Sequence, residues 1–176
     1  MDIANYLIDK WTEAILTVNF HLEEGQVIDF IHPKNSLSCA IKKKIAYMSF
    51  PDSNSFSTEG ELYYVFHVKN DEQEILYCYV YFTQVKDLNN ARGYHQKSLV
   101  IVSTIKMIKV FSLICKFVNK EYRESGMNNS ILADMWSDLN KNKTPDELFE
   151  NGKIASVKIR NKELKVKVKR VCRSYR

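Results

Sequence analysis

The sequence predicts an α/β (α+β) fold: a five-stranded, mainly antiparallel sheet with one helix on one face, two on the other, and a C-terminal basic extension. Three observations predict it. Apolar residues switch between a period of two and a helical period along the chain. Residues 75–82 and 99–102 are apolar at consecutive positions, so both faces of those strands need cover. The order of the periods is hairpin, helix, three strands, two helices, which places helices on both sides of one sheet.

Each element has a local warrant. Asp2 can cap a short helix with Ile3, Tyr6, Leu7 and Trp11 on one face. Leu16, Val18, Phe20 and Leu22 then alternate with polar residues as a strand. Glu23-Glu24-Gly25 supplies a turn, and residues 26–31 return as a second strand ended by Pro33. Ser36 or Ser38 can cap a helix lined by Leu37, Ile41, Ile45 and Met48 and stopped by Pro51. Residues 52–60 are rich in Ser, Asn and Thr and read as a loop. Strands follow at 62–68, 75–82 and 99–102, with residues 84–97 as a polar connection before the last.

A long helix is predicted over 105–121. Its polar stripe is Lys106, Lys109, Ser112, Lys116 and Lys120, and Gly126 breaks it. Asn129 or Ser130 starts another helix, with Ile131, Leu132, Met135, Trp136 and Leu139 on one side and Asp134 and Asp138 on the other. Thr144-Pro145-Asp146-Glu147 combines an N-cap, a first-turn proline and a capping-box glutamate, and Asn151-Gly152 ends that short helix. Residues 153–159 and 164–168 alternate Val or Ile with Lys, which suits an exposed edge hairpin protected by lysines. Two units result: residues 1–140 as the main module, and 141–176 as a short helix with a basic hairpin or linker.

The 176 residues suit one domain with an appendage. The chain is 45% hydrophobic, 27% charged and poor in Gly and Pro, which excludes a disordered chain. No apolar run is long enough to cross a bilayer, and the N-terminus has neither a secretory pattern nor a Met-Gly start. A prenylation box is also absent. Cys39, Cys78, Cys115 and Cys172 form no CxxC pair, which predicts free thiols in a reducing, cytoplasmic setting and no zinc. The four histidines, His21, His32, His67 and His95, have no metal spacing. No GxxxxGK[ST], GxSxG or HExxH pattern occurs, so neither a phosphate loop nor a catalytic constellation is expected.

The net charge of +5 is uneven. Residues 153–176 hold ten Lys/Arg and one Glu, while the rest of the chain is mildly acidic. The tail has three readings: a solvated hairpin or linker, a contact for anionic lipid through Lys165, Lys167, Lys169 and Arg170, or a nucleic-acid contact. The last is disfavoured, because only Tyr175 supplies an aromatic ring there.

Tyr79-Val80-Tyr81-Phe82-Thr83-Gln84-Val85-Lys86-Asp87, followed by Arg92-Gly93-Tyr94-His95-Gln96-Lys97-Ser98-Leu99-Val100, resembles the DENN domain-containing protein 6 family. There a YVYFxQVKD strand leads through RGYxQKSLV into the next strand. Phe20-His21-Leu22-Glu23-Glu24-Gly25 is similar to that family's FDLExG hairpin, and Tyr47-Met48-Ser49-Phe50-Pro51-Asp52-Ser53 to its YLSFPDS segment. Glu121-Tyr122 falls where the family has PEYF. The similarity covers residues 11–125 and is strongest over 79–103.

The resemblance implies a longin-like module, called uDENN, in proteins that promote guanine-nucleotide exchange on Rab GTPases at endosomal and late secretory membranes. It implies a central DENN module as neighbour, in the same chain or complex, with the GTPase at their junction. It implies no cofactor and no metal, and a cytoplasmic protein peripheral to membranes. This chain lacks the central and C-terminal modules, which puts exchange by the chain alone in doubt. A longin-type adaptor without exchange activity is the alternative.

On this reading Gln84, Lys86, Asp87, Arg92, Gln96 and Lys97 are the candidate partner-binding residues, on a polar connection held by a rigid sheet. The same residues also read as a purely structural loop. Gly93 then supplies a positive φ, and Asp87 pairs with Arg92 or Lys97.

Overall fold

The computed structural model describes residues 10–51, 59–89, 93–142 and 154–167, the last with backbone alone at 154, 155, 166 and 167. The helix expected from Asp2, most of the loop expected at 52–60 and the short helix expected after Thr144 lie outside the described residues. Of that first helix's apolar face Trp11 is described. It is not helical; it leads directly into a strand and is fully buried.

Seven strands and three helices are described. They run β1 (Ala14–His21), β2 (Gly25–His32), α1 (Cys39–Met48), β3 (Gly60–Lys69), β4 (Ile75–Lys86), β5 (Tyr94–Ser103), α2 (Ile108–Glu124), α3 (Asn129–Asn140), β6 (Ile154–Ile159) and β7 (Lys162–Lys167). The first five strands form one sheet in the order β2-β1-β5-β4-β3. Every pairing in it is antiparallel, so the sheet is wholly rather than mainly so. β5 and β4 hold the centre, and these are the strands whose sequence is apolar on both faces.

The alternation of β-strand side chains divides the core in two. On one face Leu37, Ile41, Ile45 and Ala46 of the α1 region pack on Leu16, Val18, Val80 and Val100. On the other, Phe111, Ile114 and Val118 of α2 and Leu132, Met135 and Leu139 of α3 pack on Ile15, Tyr79, Leu99 and Ile101. Burial of each such side chain contributes about 1.5–3 kcal/mol. Tyr79 stacks on Phe111 with ring centroids 4.1 Å apart. Its hydroxyl donates to the Ile105 carbonyl at 2.5 Å and accepts from the Met107 amide at 2.9 Å. The strand thus fixes the chain's approach to α2, and the helix begins at Ile108, three residues later than its period predicts.

Local sequence explains the helix ends. α2 closes with Gly126 at φ +71°, its amide donating to the Arg123 carbonyl and that of Met127 to the Tyr122 carbonyl. This is the double hydrogen bond that a glycine terminator permits. Asn128 caps α3 by accepting from the Ser130 amide at 3.0 Å. Ser38 stands at the N-cap of α1 but makes no side-chain cap bond there. Met48, expected on the apolar face of α1, is 41% exposed, and Ala46 is buried instead.

The basic hairpin departs from its expected exposure. β6 and β7 form their own two-stranded sheet, and Val157 and Ile159 are fully buried in the α2–α3 core. A charged latch accompanies them. Glu121 of α2, 7% exposed, accepts from Arg160 at 3.2 Å and Lys162 at 2.5 Å. Lysines protect one face of this hairpin, and the other is core.

Candidate partner-binding end of the sheet

The register between β1 and β5 stops at Asn19↔Lys97. Beyond it β1 stays with β2 as far as His21↔Gly25, and β5 stays with β4 as far as Lys86↔Tyr94. The sheet therefore forks into two hairpins. Between them lies a cleft of about 250 Å³ lined by Asn19, Phe20, His21, Leu22, Tyr94, His95 and Gln96.

The β4–β5 arm is a built turn. The Asp87 amide donates to the Gly93 carbonyl at 2.9 Å, and Gly93 takes φ +75°. A side chain there would be strained, so glycine serves the turn. The Asp87 carboxylate accepts from the Asn89 amide at 3.0 Å, a local Asx bond that shapes the tip. Leu88 stands 83% exposed on it, and Leu22 stands 64% exposed on the other arm. Two bare leucines on neighbouring hairpins need a reason more than scattered surface residues do.

Behind the fork a polar cluster ties the sheet to the helices. A bulge between Thr17 and Val18 leaves Asp29 as the extra residue of β2. Its carboxylate accepts from Thr17 Oγ1 at 2.6 Å and Asn19 Nδ2 at 3.0 Å, and pairs with Lys97 at 3.0 Å. Lys97 also donates to the Tyr122 hydroxyl at 3.0 Å, which donates to Asn129 Oδ1 at 2.9 Å. Burial alone pulls the Lys97 ammonium downward. Hydrogen bonds to Tyr122 and Asp29 and the Asp29 charge more than offset this, and its pKa is raised. Asn19 Oδ1 is buried and accepts no hydrogen bond from the described residues. Such an atom is costly unless a donor from water or a partner reaches it.

The sequence-predicted residues are not one constellation. The stretch 84–97 is mostly strand: β4 runs to Lys86 and β5 starts at Tyr94. A polar sequence misled here because a ladder needs paired backbone, which hydrophobic alternation does not report. Gln84 and Gln96 lie opposite each other and share a 2.7 Å hydrogen bond on the α1 side. Lys97 points to the α2 side, where its acidic partner is Asp29 and not Asp87. Lys86 is exposed at the strand end and Asp87 shapes the turn. Arg92 lies outside the described residues. Of the basic candidates, Lys165 is exposed on β7, Lys167 ends that strand, and Lys169 and Arg170 lie outside the described residues.

Sequence reasoning missed Asn19 and Asp29, whose signal would have been a bulge, and Glu121, whose partners are distant in sequence. It also missed the ring of Phe50, which packs tilted on Phe20 at 6.2 Å and edge-to-face on Phe82 at 5.5 Å beside the fork.

The larger concavity, about 500 Å³, lies at the far end between the start of α1 and the β3–β4 turn. Its polar groups are largely engaged in shaping that turn: the Asn70 side chain bonds Glu72 and Glu74, and Ser38 bonds Asp71. Among the described residues no His/Cys/Asp/Glu group could hold a metal ion, and no helix is long and apolar enough to cross a membrane. His21 and His95 flank the fork without a carboxylate or nucleophile beside them in the cleft lining.

No family model matches the chain. It is 34% identical over 136 residues to the "Protein DENND6 homolog" of Dictyostelium discoideum, a match covering 74% of this chain and 19% of that protein. Protein DENND6A of Gallus gallus is 33% identical over 156 residues, 74% of this chain and 26% of its own length. Protein DENND6B of Homo sapiens is 31% identical over 137 residues, 64% of this chain and 23% of its own length. The chain thus spans about a fifth to a quarter of the curated relatives it matches.

Proposed function

This chain belongs to the DENND6 family, and on that premise we propose that it is the N-terminal, longin-like module of a DENN-type exchange factor whose forked sheet end meets a Rab GTPase. One observation carries the reading. The segment most like the family, residues 79–103, builds the central strands and one whole arm of the fork. Exposed Leu22 and Leu88, the cleft and the bare Asn19 acceptor supply apolar contact and a hydrogen-bond acceptor at that end.

Exchange requires no acid, base or nucleophile. A protein accelerates nucleotide release by binding the nucleotide-free GTPase more tightly than the loaded one. This chain would supply one wall of the binding cleft and a central DENN module the other. Its work would be done on membranes of the endosomal and late secretory system, from the cytoplasmic side.

The test is release of fluorescent GDP from a panel of Rab GTPases. The chain is assayed alone and joined to the central module of a DENND6 relative. Acceleration by the joined form that falls at least several-fold with Leu88→Asp supports the reading. Acceleration unchanged by Leu88→Asp moves the contact away from the fork. Stable Rab or coat-protein binding with no acceleration by either form favours the longin-type adaptor.

A further inference from the structure

A second surface lies on the outer side of α2. α2 carries no acidic residue from Ile108 to Lys120. Its solvent crest is Lys109, Leu113, Lys116 and Lys120, at the three- and four-residue spacing that brings side chains onto one line. Leu113 is 44% exposed and Ile108 49% exposed, so large apolar groups stand among the lysines. Among the described residues Lys109 and Lys116 have no acidic partner. Lys120 reaches Glu124 at 3.7 Å with both side chains well exposed, a pairing of little strength.

The surface continues onto the hairpin. Lys162 lies over the Phe117 ring at 5.5 Å while gripping Glu121. That grip places the β6–β7 hairpin against the flank of α2. Lys158 and Lys165 are exposed on its outer face, next to Glu163. The main body of the chain is mildly acidic, so a crest of this charge is a local feature and not the average surface.

We infer that the exposed crest of α2, with the adjoining β6–β7 hairpin, docks onto an anionic lipid bilayer. The inference is independent of the exchange-factor reading. Charge complementarity selects the occupant class: lysines near an anionic leaflet each add attraction. The apolar residues choose between classes. Nucleic acid would ask for exposed aromatic rings or a broad basic groove; Phe117 is partly buried and covered by Lys162, and Tyr63, whose hydroxyl donates to the Ile108 carbonyl, is also partly buried. Exposed Leu113 and Ile108 suit the headgroup–acyl boundary, where apolar side chains insert and lysines stay in water.

The experiment is co-sedimentation of the full chain with vesicles of phosphatidylcholine alone and of phosphatidylcholine with phosphatidylserine. Binding should appear with the anionic vesicles and weaken as salt is added. Lys109→Gln with Lys116→Gln should weaken it about 25-fold, at about fivefold per lysine. Leu113→Ser should weaken it without changing the salt response. Lys43→Gln with Lys44→Gln removes the same charge from exposed positions on α1, across the sheet, and should leave binding within about twofold. All these side chains are exposed, and thermal melts would check that each variant folds. Equal losses from the crest and α1 pairs would overturn the inference, as would loss only when Lys167, Lys169 and Arg170 are replaced. Crest-dependent binding to a single-stranded RNA with none to vesicles would also sink it.

Discussion

The two ends of the β1–β5 seam are built differently. At the fork the strands part, leaving leucines at the surface and a buried amide oxygen without a donor among the described residues. At the other end the seam is sewn shut. The Trp11 and Thr12 amides both donate to Asn140 Oδ1, at 2.8 and 3.0 Å, and Asn140 Nδ2 donates back to the Thr12 carbonyl at 3.1 Å. Ser103 Oγ donates to the Trp11 carbonyl at 2.7 Å and accepts from the Ile105 amide at 3.0 Å. The Trp11 ring meets Phe111 edge-on at 6.3 Å. One end concentrates burial and satisfied polar groups, while the other leaves both incomplete. The closed end keeps the fold, and the open end is free to serve a partner.

The comparison can be broken by mutation. Trp11→Ala should have the largest effect, about 3–5 kcal/mol, because it empties a fully buried aromatic site. A urea titration would show it as a lower midpoint, and an unchanged midpoint would refute the closed end as the stability centre. Asn140→Ala should cost roughly 1–3 kcal/mol, since it strands two amides at a partly buried position. Less than a tenth of that loss would mean water replaces the clasp.

pH probes the middle of the sheet. Burial pushes the Cys78 thiol from an ordinary 9 up to about 12, and pushes Cys115 higher still. A raised pKa means the folded state holds the proton more tightly than the unfolded one. The stabilisation is complete below pH 9 and is lost as pH rises through 12. Native protein at pH 8 should therefore react with a thiol reagent quickly at exposed Cys39 and slowly at Cys78 and Cys115. Rapid labelling of Cys78 would show that the sheet opens more easily than its packing implies. The smallest stability change belongs to the fork: Leu22→Ser and Leu88→Ser should each stay within about 0.5 kcal/mol of the parent. The same changes should cost partner affinity, and a drop in stability without one would reverse the assignment of the two ends.

Much of this division was legible in the sequence, but not evenly. Helix and strand periods located the sheet, the three helices and their sides, because each has an apolar face that must be covered. Gly93 marked the turn, since few residue types suit a positive φ, whereas Asp87, read as an ion-pair partner, shapes the turn instead. What stayed hidden depended on partners far along the chain. Nothing near Asp29 announces Lys97, and nothing near Glu121 announces Arg160, 39 residues on. The alternation of residues 153–159 showed that one face was apolar, and not that α2 and α3 would bury it. Gln84, Lys86, Asp87, Gln96 and Lys97, read as a polar connection, lie near one end of the sheet. Their division between its two faces needed a register that polar sequence does not carry.

The Asn140 clasp also says something about how the chain is made. Trp11 must wait for a residue 129 positions later before its amide is satisfied. At about 5–20 residues per second, the ribosome leaves roughly 6–26 s between the two. For roughly the first two thirds of that interval β1 has β2 as a neighbour but not β5, and α3 is completed only at its end. Nascent chains at this stage would offer a sticky edge to one another or to a chaperone until α3 brings Asn140 to the Trp11 amide.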